Sequence, residues 1–232
     1  MAQDKFFNKQ GLSFFWKKIE NEVRKYKEST EYYNTYLKSD GHLYIDGQDY
    51  AIINHAYSMT YNQNNQLAYI EFGSSSPKVG FFDLSSRQQI STTTISLSNS
   101  RFIVCPGNQF VALSSNNGSY CIFSEDLKSY STGTFSVNGF FAEFKTSDGR
   151  VFVTGQDKNL YEMVVVNGTP SLNLIVSLGS NTTAMSEYEG YLYVFPRLST
   201  QSFKVRLSDC YCTSFSLDLS AHNAVCALVR RD

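Results

Sequence analysis

A unit of about 40 residues recurs along this chain from residue 67 to the C-terminus. Each copy opens with a short apolar run, and the four runs begin at residues 67, 110, 151 and 192. A second apolar run follows 9 to 12 residues later in every copy. A period of 40 to 45 residues with several short strands per copy is typical of the blades of a β-propeller. The sequence therefore predicts a mainly β, β-propeller-like fold.

Each copy offers four predicted strand positions, as a propeller blade requires. The first runs are residues 67–70, 110–113, 151–153 and 192–195, and the second runs are residues 79–82, 120–123, 160–163 and 203–205. The third runs are residues 94–97, 134–137, 174–178 and 215–219. Strand candidates between copies are residues 101–104, 140–144, 184–188 and 223–229. Candidate hairpin turns, which need positive φ, are Asp46-Gly47, Asn117-Gly118, Asp148-Gly149 and Asn167-Gly168.

The repeat length predicts about five blades in residues 39–232, the last shared between the two ends of the chain. In that ring, residues 43–45 and 50–53 pair with residues 224–228, and the closure hides strand edges that otherwise invite aggregation. An open stack of sheets or a two-sheet sandwich would use the same strands. The domain prediction is an N-terminal helix and linker in residues 1–38, followed by the propeller-like domain in residues 39–232.

The N-terminal region carries a different periodicity from the rest of the chain. Apolar side chains recur there at intervals of three or four, which predicts one amphipathic α-helix with a stripe of Leu12, Phe15, Trp16, Ile19 and Val23. Residues 29–36 have poor helix propensity and are predicted to be a linker or an irregular segment. The stripe either packs on the propeller or docks to another subunit, and the sequence favours neither over the other.

The charge and the cysteines exclude several classes of protein. With 20 basic and 21 acidic residues, the chain has no net field that would attract nucleic acid. No apolar run reaches the ~18 residues of a membrane span. The stretch around Phe14 is interrupted by Lys17 and Lys18, so no signal peptide is expected and the protein should be made in a cytoplasm. The five cysteines, irregularly spaced, are expected to be reduced structural thiols.

The sequence predicts neither a metal site nor a cofactor. Ring closure could bring His42 and His222 together, but no third ligand is evident, so polar loop histidines are expected there and at His55. Residues 157–159 lack the carboxylate spacing of a calcium loop and are predicted to be a turn. Asparagine acceptor patterns at residues 117, 167 and 181 indicate only asparagine-rich turns.

Catalysis is not predicted either. Glycosidases need two carboxylates across a cleft, and acidic side chains do occur near predicted strand ends, at Asp83, Glu125, Asp126, Glu187 and Asp209. Asp83 and Asp126 fall at equivalent repeat positions, which favours a role in the turns over a unique catalytic acid. No phosphate-binding loop, nucleophile elbow or metalloprotease motif is present in the sequence. We therefore expect a protein that is not an enzyme.

One short segment resembles a known family. Residues 9–19 (KQGLSFFWKKI) resemble a segment near the N-terminus of many tailed-bacteriophage tail-fibre and appendage proteins, the matching residues being Gly11, Leu12, Phe15, Trp16, Lys18 and Ile19. The resemblance covers about 20 residues and implies an anchor to the virion followed by a variable distal domain. The chain lacks the G-x-y or heptad stretches of a fibre shaft, which favours a compact baseplate, collar or adhesin subunit.

The resulting expectation is a structural virion protein in a symmetric assembly. Its N-terminal helix would dock to other virion proteins through Leu12, Phe15, Trp16, Ile19 and Val23, and its propeller would contact a neighbouring protein or a host-surface glycan. Two alternatives remain: a propeller domain that binds or cleaves glycans, and a cellular propeller adaptor that binds peptides.

Overall fold

A computed structural model describes residues 35–37, 42–51, 56–71, 76–197 and 199–216. These residues form 19 strands in five antiparallel sheets and one 3₁₀ turn, which confirms the prediction of a mainly β fold. The predicted N-terminal helix lies outside the described residues, as do residues 217–232. In the described part of the chain, no helix has the length and apolar character needed to cross a membrane.

The first sheet has three strands: β1 (Thr35–Leu37), β2 (His42–Ile45) and β3 (Gln48–Ala51). The other four sheets each have four strands that pair in chain order. The second sheet contains β4 (Ala56–Tyr61), β5 (Gln66–Glu71), β6 (Lys78–Asp83) and β7 (Gln88–Thr94). The third contains β8 (Ser100–Val104), β9 (Val111–Ser114), β10 (Ser119–Phe123) and β11 (Tyr130–Thr134), with the 3₁₀ turn (Pro106–Asn108) between β8 and β9.

The fourth sheet contains β12 (Phe140–Lys145), β13 (Val151–Gly155), β14 (Asn159–Val166) and β15 (Thr169–Ser177). The fifth contains β16 (Thr182–Tyr188), β17 (Tyr191–Pro196), β18 (Gln201–Arg206) and β19 (Cys212–Ser216). The first strands of successive sheets lie against one another: β1 against β4, β4 against β8, β8 against β12, and β12 against β16. The sheets therefore radiate from a common axis, as the blades of a propeller do.

The core lies between successive sheets in four hydrophobic clusters. The second strand of a sheet contributes to the clusters on both of its faces. In β5, Leu67 and Tyr69 pack toward the first sheet, whereas Ala68 and Ile70 pack toward the third. A strand that is buried on both faces needs apolar residues at every position. This is why the second strands gave the unbroken apolar runs from which the repeat was recognised.

The predicted third strand was wrong in two copies. The observed outer strands β7 and β11 are polar and mostly exposed, and they end at Thr94 and Thr134, where the predicted runs begin. The apolar residues that suggested strands, Ile95, Leu97 and Val137, are instead buried in the connections that lead to the next sheet. These two outer strands have little contact with the core, so they carry little apolar signal in the sequence.

The repeat boundary also differs from the predicted one. Residues 101–104, 140–144 and 184–188 are strands, as predicted, but each pairs with the run that follows it. They are therefore the innermost strands of the next sheet. Similarly, Thr35 and Tyr36 were assigned to a linker but belong to β1, and the Tyr36 ring stacks on Tyr44 at 4.7 Å between centroids. The first sheet thus begins before residue 39.

The hairpin turns follow the glycine-containing dipeptides only in part. Both residues have positive φ at Asp46-Gly47 and at Asn167-Gly168, which confirms those two turns, and Gly149 also has positive φ. Gly118 does not, and there glycine is needed for another reason. A Cβ atom at Gly118 would lie 2.3 Å from the carbonyl oxygen of Phe135, so the backbones can approach only without a side chain.

Candidate functional site

One face of the molecule is formed by the loops that join the first and second strands of successive sheets. Because the strands are antiparallel and pair in chain order, these loops all lie at the same edge of their sheets. Residues 62–65, 105–110 and 146–150 are such loops in the second, third and fourth sheets. We call the surface they form the loop face, and the residues that line its cavities are the candidate site.

The loop of the second sheet is organised by one buried amide side chain. Asn62 Oδ1 accepts hydrogen bonds from the backbone N–H groups of Asn64 and Gln66, each at 3.0 Å, and its Nδ2 donates to Gln66 Oε1 at 2.7 Å. Such bonds from an asparagine to its own turn fix the loop without a regular strand or helix. Residues 62–66 thereby present a fixed row of amide groups.

Hydrogen bonds between sheets hold the loops of this face together. The backbone N–H of Gln63 donates to Asn108 Oδ1 at 2.8 Å and joins the second sheet to the third. Lys145 Nζ donates to the carbonyl oxygen of Tyr61 at 2.5 Å and joins the fourth sheet to the second. The same ammonium group lies 4.6 Å from the centre of the Tyr61 ring. The loop face is therefore a preorganised surface and not a set of independent loops.

A groove of about 510 Å³ opens on this face between the third and fourth sheets. Its lining includes Pro106 and Gly107 from the loop of the third sheet, Met163 and Val165 of the fourth sheet, and the loop of residues 146–150. Tyr61 also lines the groove, and 58% of its surface is exposed. Concave sites with apolar walls and a few polar groups are the usual form of binding sites.

A smaller cavity of about 250 Å³ adjoins the axis and is lined by residues of β1, β4, β5, β12 and the loop after β12. Glu143 of β12 lies in it, and Ser58 Oγ of β4 donates to Glu143 Oε1 at 3.4 Å. Burial raises the pKa of Glu143 to about 7, because a charged carboxylate is poorly solvated there, and the Ser58 hydrogen bond only partly opposes this. Burial also lowers the pKa of Lys145.

The docking residues predicted from the sequence, Leu12, Phe15, Trp16, Ile19 and Val23, lie outside the described residues, as do His55, His222 and Cys226. His42 is described, and its Nδ1 lies 2.7 Å from Asp49 Oδ1. Within the described ranges, no group of three or more histidine, cysteine, aspartate or glutamate residues has an arrangement that could hold a metal ion. The four described cysteines are free thiols, and burial raises the pKa of Cys105 to about 11.

Two of the predicted turn acids have the expected role. Asp83 Oδ1 accepts the backbone N–H of Ser86 at 2.8 Å, and Asp126 Oδ1 accepts that of Lys128 at 3.1 Å. Glu187 is different, because its carboxylate accepts the backbone N–H and the hydroxyl of Ser147 at 2.5 and 2.6 Å. Glu187 therefore joins the fifth sheet to the loop face of the fourth and does not cap a local turn.

Sequence reasoning missed the residues that line the axial cavity. The sequence pattern places Glu143 only within an apolar strand candidate, residues 140–144, in which it is the single charged residue. An ionisable side chain inside an apolar strand is a signal of a special environment. Tyr61 gives no comparable signal, since its place in this cavity follows only from the arrangement of the sheets.

The comparisons with known proteins support the fold. No protein-family model matches the sequence, and the curated proteins include no significant match. Among solved structures, the chain is similar to the dihydro-heme d1 dehydrogenase NirN in complex with DHE, with a TM-score of 0.62 and 13% identity. That match covers 80% of this chain and 43% of NirN, so the chain spans less than half the length of that protein.

Two further structures are similar over most of the chain. The Cps50 (Swd1) β-propeller domain from Myceliophteria thermophila matches with a TM-score of 0.57 and 11% identity over 79% of this chain and 68% of that one. Virginiamycin B lyase from Staphylococcus aureus matches with a TM-score of 0.58 and 13% identity over 80% and 69%. Because these proteins differ in function, the likeness shows a β-propeller-like fold and nothing about activity.

Proposed function

We propose that this chain is a non-enzymatic, structural subunit of a tailed-bacteriophage tail or appendage. It consists of a β-propeller-like interaction module with five blades, closed by its two ends and preceded by a docking helix. The resemblance of residues 9–19 to virion anchors supports the assignment to phage. The observation that carries the interaction role is the loop face, where hydrogen bonds between sheets fix a concave surface beside the axis.

In this proposal the helix attaches the subunit to other virion proteins and the loop face stays available for a second partner. A tryptophan at the centre of a docking surface contributes on the order of 2–4 kcal/mol to binding. Trp16→Ala should therefore abolish incorporation into the assembly and leave the melting temperature unchanged. Lys17→Ala, on the opposite side of the predicted helix, is the matched control and should assemble normally.

The test compares the full-length protein with a protein that lacks residues 1–33, by light scattering and thermal melting. This truncation keeps β1, whose first residue is Thr35. If only the full-length protein associates and both proteins melt at the same temperature, the result supports a helix that anchors the subunit to another protein. A large loss of melting temperature on truncation, or with Trp16→Ala, would show that the helix belongs to the core of the same subunit.

A second candidate function is the binding of a host-surface glycan by the same face. The observation that favours it is the exposed Tyr61 ring next to the amide row of residues 62–66. An aromatic ring can stack on the apolar face of a sugar while amide groups bind its hydroxyls. A glycan array probed with the wild-type protein and with Tyr61→Ala tests it. Loss of all signal in the variant is expected, and an array without signal for the wild type removes this candidate.

A further inference from the structure

The innermost strands of three sheets meet at Glu143. Ser58 Oγ of β4 accepts the backbone N–H of Ile103 of β8 at 3.2 Å and also donates toward Glu143 of β12 at 3.4 Å. The hydroxyl has one proton, which it can also direct to the carbonyl oxygen of Ile103 at 3.5 Å. Glu143 therefore receives at most one long hydrogen bond from Ser58, which is little for a carboxylate in this environment.

No ion pair compensates this carboxylate within the described part of the chain. Desolvation and the Ser58 hydrogen bond account for its perturbed pKa, and no charged neighbour contributes. Lys145 lines the same cavity, but its ammonium is bound to the carbonyl oxygen of Tyr61 and lies over the Tyr61 ring. Glu187, the acid on the adjoining strand β16, is already bound by Ser147.

The cavity beside Glu143 has the size and lining of a pocket for one long side chain. Its volume is about 250 Å³, and Met59, Leu67 and the Tyr61 ring give it apolar walls. An aliphatic stem would pack on those walls, and a terminal cation would meet the carboxylate. Since the cavity adjoins the loop face, a partner bound there could reach it with an extended side chain.

We propose that the axial cavity receives a cationic side chain, lysine or arginine, from a partner protein, with Glu143 as the anion that recognises it. This inference rests on the proposed function of the chain as an interaction module and specifies the chemistry of the partner. Binding of a cation favours the charged form of Glu143, so the affinity should increase with pH in the range where this carboxyl titrates.

The experiment titrates the full-length protein with N-acetyl-arginine amide and N-acetyl-lysine amide, monitored by NMR chemical shifts. The neutral counterparts are N-acetyl-citrulline amide and N-acetyl-norleucine amide. One cationic probe should bind about tenfold more tightly than its neutral counterpart. Which of the two binds identifies arginine or lysine as the inserted residue. Equal affinity of the charged and neutral probes would overturn the proposal.

Two variants and the pH dependence complete the test. Glu143→Gln should abolish the preference for the cation, whereas Asp126→Asn, at an exposed turn, should leave it unchanged. If Glu143→Gln does not fold, the wild-type protein still decides, because its affinity for the cation should rise several-fold between about pH 6 and about pH 8. An affinity independent of pH contradicts the proposal. Such a result would not affect the proposed docking through Trp16, so the two proposals can be refuted independently.

Discussion

Arg150 shows how a single residue holds two neighbouring sheets together. Its Nε donates to Glu162 Oε1 of β14 at 2.6 Å, its Nη1 donates to the carbonyl oxygen of Leu207, and its Nη2 contacts Cys210 Sγ at 2.9 Å. The guanidinium also lies 5.0 Å from the centre of the Phe152 ring. This network therefore joins the fourth sheet to the turn between β18 and β19 of the fifth sheet.

Replacing Arg150 with alanine should lower the free energy of unfolding by about 3 kcal/mol, because it leaves a largely buried carboxylate without its partner. The side chains of Arg150 and Glu162 are 24% and 16% exposed. The matched control is Arg206→Ala, which removes an exposed pair with Asp209 and should destabilise the protein much less, because exposed ion pairs contribute little. Urea unfolding of both variants measures the difference. Equal losses of unfolding free energy would show that the Arg150 network contributes no more than an exposed ion pair.

Glu143 should make the stability of the protein depend on pH. Its pKa is about 7 in the folded state and 4.5 in the ordinary, solvated state, so the folded protein binds this proton more tightly. The resulting stabilisation is complete below about pH 4.5 and is lost as the pH rises through about 7, by roughly 3 kcal/mol at most. Glu143→Gln should remove that fall. Urea unfolding of both proteins at about pH 5 and about pH 8 isolates the contribution, and parallel pH profiles would contradict it.

At the scale of the strand, a tyrosine faces a glycine on the neighbouring strand in each of two sheets. Tyr69 of β5 faces Gly80 of β6, and Tyr120 of β10 faces Gly133 of β11. A Cβ atom at Gly80 would lie 2.1 Å from Cζ of Tyr69, and one at Gly133 would lie 2.4 Å from Cζ of Tyr120. The rings therefore occupy the space that a side chain on the facing strand would need.

The two glycines should nevertheless differ in their sensitivity to substitution. Tyr69 is fully buried, so its ring cannot move away, and Gly80→Ala should destabilise the protein by about 3 kcal/mol through overpacking. The Tyr120 ring is only partly buried and can shift, so Gly133→Ala should cost less than about 1 kcal/mol. Thermal melting of the two variants compares them directly, and a larger loss for Gly133→Ala would refute this account of the packing.

How far the sequence predicts each strand depends on how much of it is buried. The runs at residues 67–70 and 151–153 were found because β5 and β13 are covered on both faces. The outer strands β7 and β11 were misplaced because they meet the core along little of their length. The candidate site was less predictable still. Glu143 and Ser58 are 85 residues apart in the chain, and only the packing of the innermost strands brings them together.

At the scale of the whole molecule, the first sheet has one strand fewer than the other four within the described residues. Its last strand, β3, pairs with β2 on one side, and its other edge corresponds to the position of the outer strands β7, β11, β15 and β19. The sequence predicts that residues 224–228 fill this position. Residues 217–223 connect them to β19 and can extend over ~23 Å at about 3.3 Å per residue.

If this closure holds, deletion of residues 223–232 should lower the melting temperature by about 10 °C or more, since the ring loses a strand and the contacts that join its ends. The deletion should also produce oligomers, because an open edge such as that of β3 pairs readily with another chain. Deletion of residues 230–232 alone removes the same three charged side chains and keeps the predicted strand, so it should melt like the wild type. Thermal melting measures the loss of stability, and light scattering measures the formation of oligomers. A monomer with unchanged melting after the longer deletion would mean that the two ends of the chain do not close the ring.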